Sequence, residues 1–243
     1  MFLKCSLKPA LIEPTIVKKF VRTCHRTYFR KYDLLGHHHL GWGVAHLSEG
    51  KNLITIRRDI TPIYKADWKG LERIKTRFLV VHARKAYPWS KSEANIHPIN
   101  IGTRYLMTHN GTIKMDSFPK LSDPSLERLK NSTTMDTRRY LCSLTDFLQS
   151  GMPMKQALET LIKTVKIGIG ANAFIFNSNE CHIVNYHANR FNGRHRTLFL
   201  SKDHDSLLIG TTPLVSYAKE IENNALLSIN LSDLSLSFQK LEV

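Results

Sequence analysis

Apolar positions recur along this chain with two periods, and the changes of period mark its elements. Phe2-Leu3 is a short apolar start. From Pro14-Thr15 onward, Ile16, Val17, Phe20, Val21 and Cys24 fall on one face at helical spacing, which predicts a helix opened by the proline. A polar, aromatic stretch from Arg26 to His39 reads as a loop. Gly41-Trp42-Gly43-Val44-Ala45 begins a strand, Ser48-Glu49-Gly50-Lys51-Asn52 is a hairpin turn, and Leu53-Ile54-Thr55-Ile56 is the partner strand. Trp68 to Lys75 reads as a short helix, and Phe78 to Ala83 and Tyr105 to Thr108 as short buried strands.

Two helical patterns follow. Asp136 to Gln149 turns Tyr140, Leu141, Leu144 and Leu148 inward. The next helix has Pro153 near its first turn and an apolar face of Ala157, Leu158, Leu161, Ile162 and Val165. After Gly168 and Gly170 the pattern returns to strands at Ala173–Phe176, His182–Tyr186, Leu207–Gly210, Leu226–Leu231 and Leu234–Leu241. Strands, two helices, then strands lacks the alternation of a doubly wound sheet. It predicts an α+β layered fold with helices on antiparallel sheets. No repeat or long linker interrupts it, so a single domain over residues 1–243 is expected.

Composition narrows the partners. A chain of 243 residues with 42% hydrophobic content can bury a real core. No run of 18 apolar residues occurs, so no membrane partner is expected. The start Met1-Phe2-Leu3-Lys4-Cys5 lacks the layout of a signal peptide. Cys5, Cys24, Cys142 and Cys181 are scattered without CxxC spacing and read as reduced thiols of a cytoplasmic protein. The formal net charge is +15, but Lys and Arg are spread along the chain, with loose clusters only at Lys18–Arg30 and Ile54–Arg58. Without an RNP motif, zinc finger or basic tail, that charge reads as a solvated basic surface rather than a nucleic-acid site. An acidic substrate or partner protein also fits it. His37-His38-His39 are adjacent loop residues with no carboxylate or cysteine to complete a ligand set, so no metal is expected.

Two segments carry candidate chemistry. Val80-Val81-His82-Ala83-Arg84 delivers an arginine at the end of an apolar run. A planar guanidinium there can hold a carboxylate through two charge-assisted hydrogen bonds, although a surface ion pair is the plainer alternative. Met107-Thr108-His109-Asn110-Gly111-Thr112 delivers an amide side chain and a glycine N–H, the donors an oxyanion needs. Asn-Gly is also a strong hairpin-turn signal.

Taken with Gly41-Trp42-Gly43-Val44-Ala45 and Asn95-Ile96-His97-Pro98-Ile99, these segments resemble the class II glutamine amidotransferases of the N-terminal-nucleophile hydrolase superfamily, in their small stand-alone form. The motifs cover roughly residues 1–140, in the family's order. The resemblance implies a four-layer αββα sandwich and no cofactor. It implies glutamine or a γ-glutamyl amide as substrate, and a synthase or amidase as a partner protein. Arg84 would hold the substrate carboxylate. His97 would line the pocket, unless it is only a packed loop histidine. Asn110 and Gly111 would form the oxyanion hole. Asp136, in Thr134-Met135-Asp136-Thr137, matches the aspartate that grips the substrate ammonium, though Met135 and Arg138 depart from the family pattern and a helix N-cap is an equal alternative. Leu40 stands where the family has an aspartate before Gly-Trp-Gly.

The family's nucleophile is a cysteine at residue 1 of the mature chain, with its own α-amine as base. Here residue 2 is Phe2 and the first cysteine is Cys5. Three explanations stand open. The true start lies upstream, with the cysteine just before Met1. Alternatively, removal of Met1–Lys4 frees Cys5 as the nucleophile. In the third, the chain is a catalytically dead glutamine-pocket module that acts by binding. Cys24, on the apolar face of the first helix, reads as core.

Overall fold

The computed structural model describes residues 1–25, 38–48, 53–85, 91–188 and 197–243. Two antiparallel sheets dominate, and the chain divides into two compact units, each built around one of them. The first unit holds Met1–Pro98, Leu198–Glu220 and Asn230–Ser235. The second holds Ile99–Thr197, Ile221–Ile229 and Leu236–Val243.

In the first unit, β1 (Phe2–Ala10) lies inside a seven-stranded sheet of order β10-β8-β9-β1-β4-β2-β3. The other strands of that sheet are β2 (Trp42–Leu47), β3 (Ile54–Asp59), β4 (Thr76–Ala83), β8 (Phe199–Lys202), β9 (Ser206–Gly210) and β10 (Lys219–Glu220). Helix α1 (Pro14–His25) buries Ile16, Val17, Phe20, Val21 and Cys24, the face that periodicity assigned to it. These side chains pack on Phe2, Trp42, Val44, Leu79 and Val81 of the sheet. Strand alternation sends Leu3, Cys5, Phe78 and Val80 to the opposite face, and they too are fully buried. The turn expected at 48–52 lies, from residue 49 on, outside the described residues, and the ladder of β2 with β3 runs from Leu47↔Ile54 to Trp42↔Asp59. Trp68–Arg73 is a 3-10 helix, shorter than the expected helix to Lys75.

The second unit has the order β12-β11-β7-β6-β5. These strands are β5 (Leu106–Ile113), β6 (Ile167–Phe176), β7 (Glu180–Asn185), β11 (Ala225–Asn230) and β12 (Leu236–Lys240). Helices α3 (Asp136–Gln149) and α4 (Met154–Thr164) cover one face, burying Tyr140, Leu141, Leu144, Ala157, Leu158 and Leu161 against Met107, Ala173 and Ile175. Helix α2 (Pro124–Asn131) was not expected from periodicity. Its start is nonetheless written locally, since Asp123 caps the N–H groups of Ser125 and Leu126 and Pro124 follows as the first helical residue. Each unit is thus helices on an antiparallel sheet, the α+β content that the element order predicts.

Leu144 is fully buried at the centre of the second core. Leu144→Ala is expected to cost about 2–5 kcal/mol of stability, read as a lowered urea midpoint with unchanged slope.

Candidate functional site

The ends of four strands define the candidate site in the first unit. Antiparallel β1 and β4 pair Phe2↔Val81, Leu3↔Val80 and Cys5↔Phe78, so the N-terminal end of β1 lies beside the end of β4 that carries Arg84. On the other side of β1, Phe2 pairs with Gly210 of β9, and the Thr211 N–H donates to the Met1 carbonyl at 3.0 Å. The amine of Met1 donates to Thr211 Oγ1 at 3.0 Å. Burial disfavours the ammonium there and lowers that amine to about 6. On the outer side of β4, the Arg84 N–H bonds Gly41 O at 2.9 Å and Arg84 O accepts from Leu40 N–H at 3.3 Å.

Arg84 is 7% exposed, so it is not the surface arginine that a surface ion pair would require. Burial lowers the local dielectric and strengthens any contact it makes with a carboxylate. His97 is also buried, and its Nδ1 lies 3.3 Å from Nδ1 of His82, two residues before Arg84. One of these two nitrogens must carry a proton and the other accept it. The His97 segment is held tightly across β2 and β3. Arg58 Nε donates to Ile96 O at 3.0 Å and Arg58 Nη2 to Pro98 O at 2.6 Å. Gly43 makes the room, because a Cβ there would overlap the His97 carbonyl oxygen. Arg58 and Gly43 were not picked out for this clasp by sequence. Their partners lie 38 and more residues away, and no local pattern records them.

Asn110, Gly111 and Asp136 belong to the second unit. Asn110-Gly111 is not a hairpin turn. Both residues lie inside β5 and pair with β6 as Asn110↔Asn172 and Gly111↔Ala171, with an irregularity before Ile113↔Ile167. Glycine is required at 111 because a Cβ would overlap the carbonyl of Gly170. Alternation puts Asn110 on the face of the sheet opposite His109, which points towards α3 and sits edge-on to Tyr140 with ring centroids 5.6 Å apart. Asp136 is the first residue of α3, after Met135 at the N-cap. Its Oδ2 accepts from the Ile113 N–H at 3.0 Å and its Oδ1 from the Thr137 N–H at 2.8 Å. The carboxylate therefore ties the end of β5 to the start of the helix, where the helix dipole favours negative charge.

Within the first unit, Cys5 lies away from the Arg84 end of the sheet. It sits in mid-strand between Phe78 and Leu207, and burial pushes its thiol far above the ordinary cysteine range. Burial also raises Cys24 to about 12 and Cys142 to about 11. His38 of the histidine run is engaged through Nδ1 with Ala83 O at 2.9 Å, while His37 is outside the described residues. Among the described residues no cluster of three or more metal-ligating side chains occurs. No described helix is long and apolar enough to cross a membrane.

The sequence profile of the class II glutamine amidotransferases matches residues 20–185, well over half of the chain. The chain belongs to the class II glutamine amidotransferases. Glutamine amide hydrolysis is the general activity of that family. Among solved structures, the glutamine phosphoribosylpyrophosphate amidotransferase of B. subtilis is similar at a TM-score of 0.66 and 17% identity, over 100% of this chain and 49% of that one. An allosteric regulatory enzyme of purine biosynthesis is similar at 0.67 and 16% identity, over 100% and 49% of the two chains. The chain therefore spans about half the length of these two enzymes. A glutamine aminotransferase class-II domain protein of Silicibacter pomeroyi matches nearly end to end, covering 98% of both chains, at a TM-score of 0.61 and 12% identity. Identities this low establish the fold alone, an α+β fold that the chain shares with these proteins. No curated protein sequence matches the chain.

Two outcomes follow for this amidotransferase. Gly111→Ala should destabilise it by about 1–3 kcal/mol in chemical denaturation, the scale of overpacking. Gly70→Ala, where a Cβ would meet only Arg57 Nη1 at 3.9 Å, should stay within about 0.5 kcal/mol of the parent. Cys5, Cys24 and Cys142 should resist Ellman's reagent in the folded protein at mildly alkaline pH and react together on unfolding, because the thiolate is the reactive form.

Proposed function

We propose that residues 1–243 act as one glutamine amidotransferase type-2 domain that cleaves the side-chain amide of glutamine, or of a related γ-glutamyl amide, through a cysteine thioester. The observation that carries this reading is the β1–β4 register, which sets the start of β1 and the buried Arg84 at the same end of one sheet. With a cysteine just before Met1, the upstream start that the sequence leaves open, that thiol would attack the amide carbon. Arg84 holds the α-carboxylate, Asp136 the α-ammonium, and His97 walls the pocket. The side-chain amide of Asn110 and the N–H of Gly111 receive the charge that develops on the amide oxygen. The departing ammonia takes a proton from the N-terminal amine that had accepted it from the thiol. Water then hydrolyses the thioester to glutamate and frees the thiol. This chemistry needs no cofactor. A synthase partner would use the ammonia, or the domain acts as a simple amidase. Four buried free cysteines fit a reducing, cytoplasmic setting.

On this reading Cys5 is not the thiol that reacts. It lies four residues down β1 from Met1, about 13 Å at the usual rise of a strand. Removing Met1–Lys4 would also strip the pairing of β1 with Leu79, Val80 and Val81. Phe2 stands opposite Val81, so the position that this register would bring beside Ala83 and Arg84 comes before Met1. The buried setting of Cys5 is also the observation that favours a second reading, a glutamine-binding module without chemistry.

Intact-mass analysis of the mature protein after exposure to an electrophilic glutamine analogue separates the two. An adduct on a thiol at the start of β1 supports catalysis. A chain terminating at Met1 or Phe2 with no adduct leaves the binding module. In either case Arg84→Ala should abolish the rise in melting temperature that glutamine gives, with the unliganded melting temperature kept. If glutamine still stabilises that variant, the pocket lies elsewhere. Where turnover is measured, Asn110→Ala should lower kcat by about 100-fold or more.

A further inference from the structure

We propose that His109 is a positioning residue that holds the Asn110-Gly111 pair in place and links it to Asp136 through the first turn of α3. The inference rests on the oxyanion role given above to Asn110 and Gly111. It is carried by the hydrogen bonds around His109. The Nε2 of this buried ring lies 3.3 Å from the carbonyl oxygen of Gly170. A carbonyl only accepts, so Nε2 carries the proton. Its Nδ1 is then free to accept from the Thr137 hydroxyl at 3.1 Å. That bond uses the one proton of the hydroxyl, so Thr137 is joined to Asp136 through its backbone N–H, which donates to Asp136 Oδ1 at 2.8 Å.

This tie stands where β5 most needs one. β5 is the edge strand of its sheet, paired with β6 and bridged on its other side by Ile99 at Met107, and its ladder becomes irregular directly after Gly111. An edge strand with a bulge and a glycine has little of its own to fix the direction of its N–H groups. Here the residues flanking the irregularity are fastened from outside the ladder. His109 is bonded to Gly170 and Thr137, and Ile113 N–H to Asp136. The imidazole also lies against Gly111, since a Cβ on that residue would come within 2.8 Å of His109 Nε2. The ring and the Gly170 carbonyl thus both close on the side of Gly111 where a Cβ would stand. The residue assigned to the substrate ammonium and the strand assigned to the oxyanion become one hydrogen-bonded piece, so His109 acts through its neighbours and not on substrate.

Two side-chain amides separate this role from simple packing. The amide nitrogen of glutamine can stand in for Nε2, and that of asparagine for Nδ1. In ligand-free protein, His109→Asn should raise amide hydrogen exchange at Ile113 about tenfold, the scale of one net hydrogen bond. The same variant should lower the heteronuclear NOE at Gly111. His109→Gln should restore both towards the parent, while amides of α4 and β7 stay as they were. Unchanged exchange at Ile113 in the asparagine variant, or no restoration by glutamine in a folded protein, overturns the proposal. If the variants do not fold, the parent decides. An imidazole nitrogen spectrum with the proton on Nε2, and a coupling across the hydrogen bond to the Gly170 carbonyl carbon, supports it, and a proton on Nδ1 alone overturns it. None of these readings uses glutamine, so a failed glutamine pocket, seen in the Arg84→Ala comparison, is distinguishable from a failed role for His109.

Discussion

The pairing of β1 between β4 and β9 is the constraint on which the first unit depends. Side chains alternate along a strand, so a slip of one residue would exchange every buried group on β1 between faces. In the observed register Phe2 meets α1 through an edge-on contact with Phe20 at 4.9 Å, and Leu3 and Cys5 are buried on the opposite face. The same register bears on the proposed chemistry. It fixes which residue of β1 reaches the Arg84 end of the sheet, and it buries the thiol of Cys5 among core side chains. A residue that looks like a displaced nucleophile in sequence is core once β1 is seen paired on both sides.

Much of the fold is legible in sequence because several elements are both long and periodic. α3 begins and ends at Asp136 and Gln149 as its apolar pattern indicates, and α1 buries the five residues assigned to it. The misses have physical causes. β5 was expected to stop at Thr108 because Asn-Gly favours a turn over any short range. The contact that keeps it extended is the packing of Gly111 on Gly170, some sixty residues further along. β6 takes in Gly168 and Gly170, which read as breakers, because they are the residues that let two backbones come close. The short strands β8 and β10 carry too few residues for any period to show.

The candidate site divides in the same way. Its chemistry-bearing residues stand in motifs and can be read directly. Its supports cannot, because each is a long-range contact. Arg58 reaches the His97 segment across 38 to 40 positions and His109 reaches Gly170 across 61. Both supports bond to backbone carbonyls, and a carbonyl leaves no trace in residue identity. Residues of candidate chemistry can therefore be singled out in sequence, while the contacts that hold them are visible only in the fold.

Acidic residues are scarce in this chain, 20 against 35 lysines and arginines, and many of them are engaged with backbone N–H groups. Asp146 accepts from Ser122 and Asp123, Asp123 caps α2, and Glu127 accepts from the Leu121 N–H while a hydrogen bond from Lys130 holds its carboxyl down at about 2. Asp136 follows the same habit, with Ile113 and Thr137 as its partners. This bears on the choice between helix cap and ammonium ligand. A carboxylate has about four acceptor positions. Two N–H bonds occupy half of them and at the same time fix its plane, and its side chain keeps 23% of its surface exposed. A carboxylate oriented by backbone and still open on one side is what an ammonium contact requires. The structural bonds of Asp136 therefore support its proposed role in substrate binding and do not compete with it.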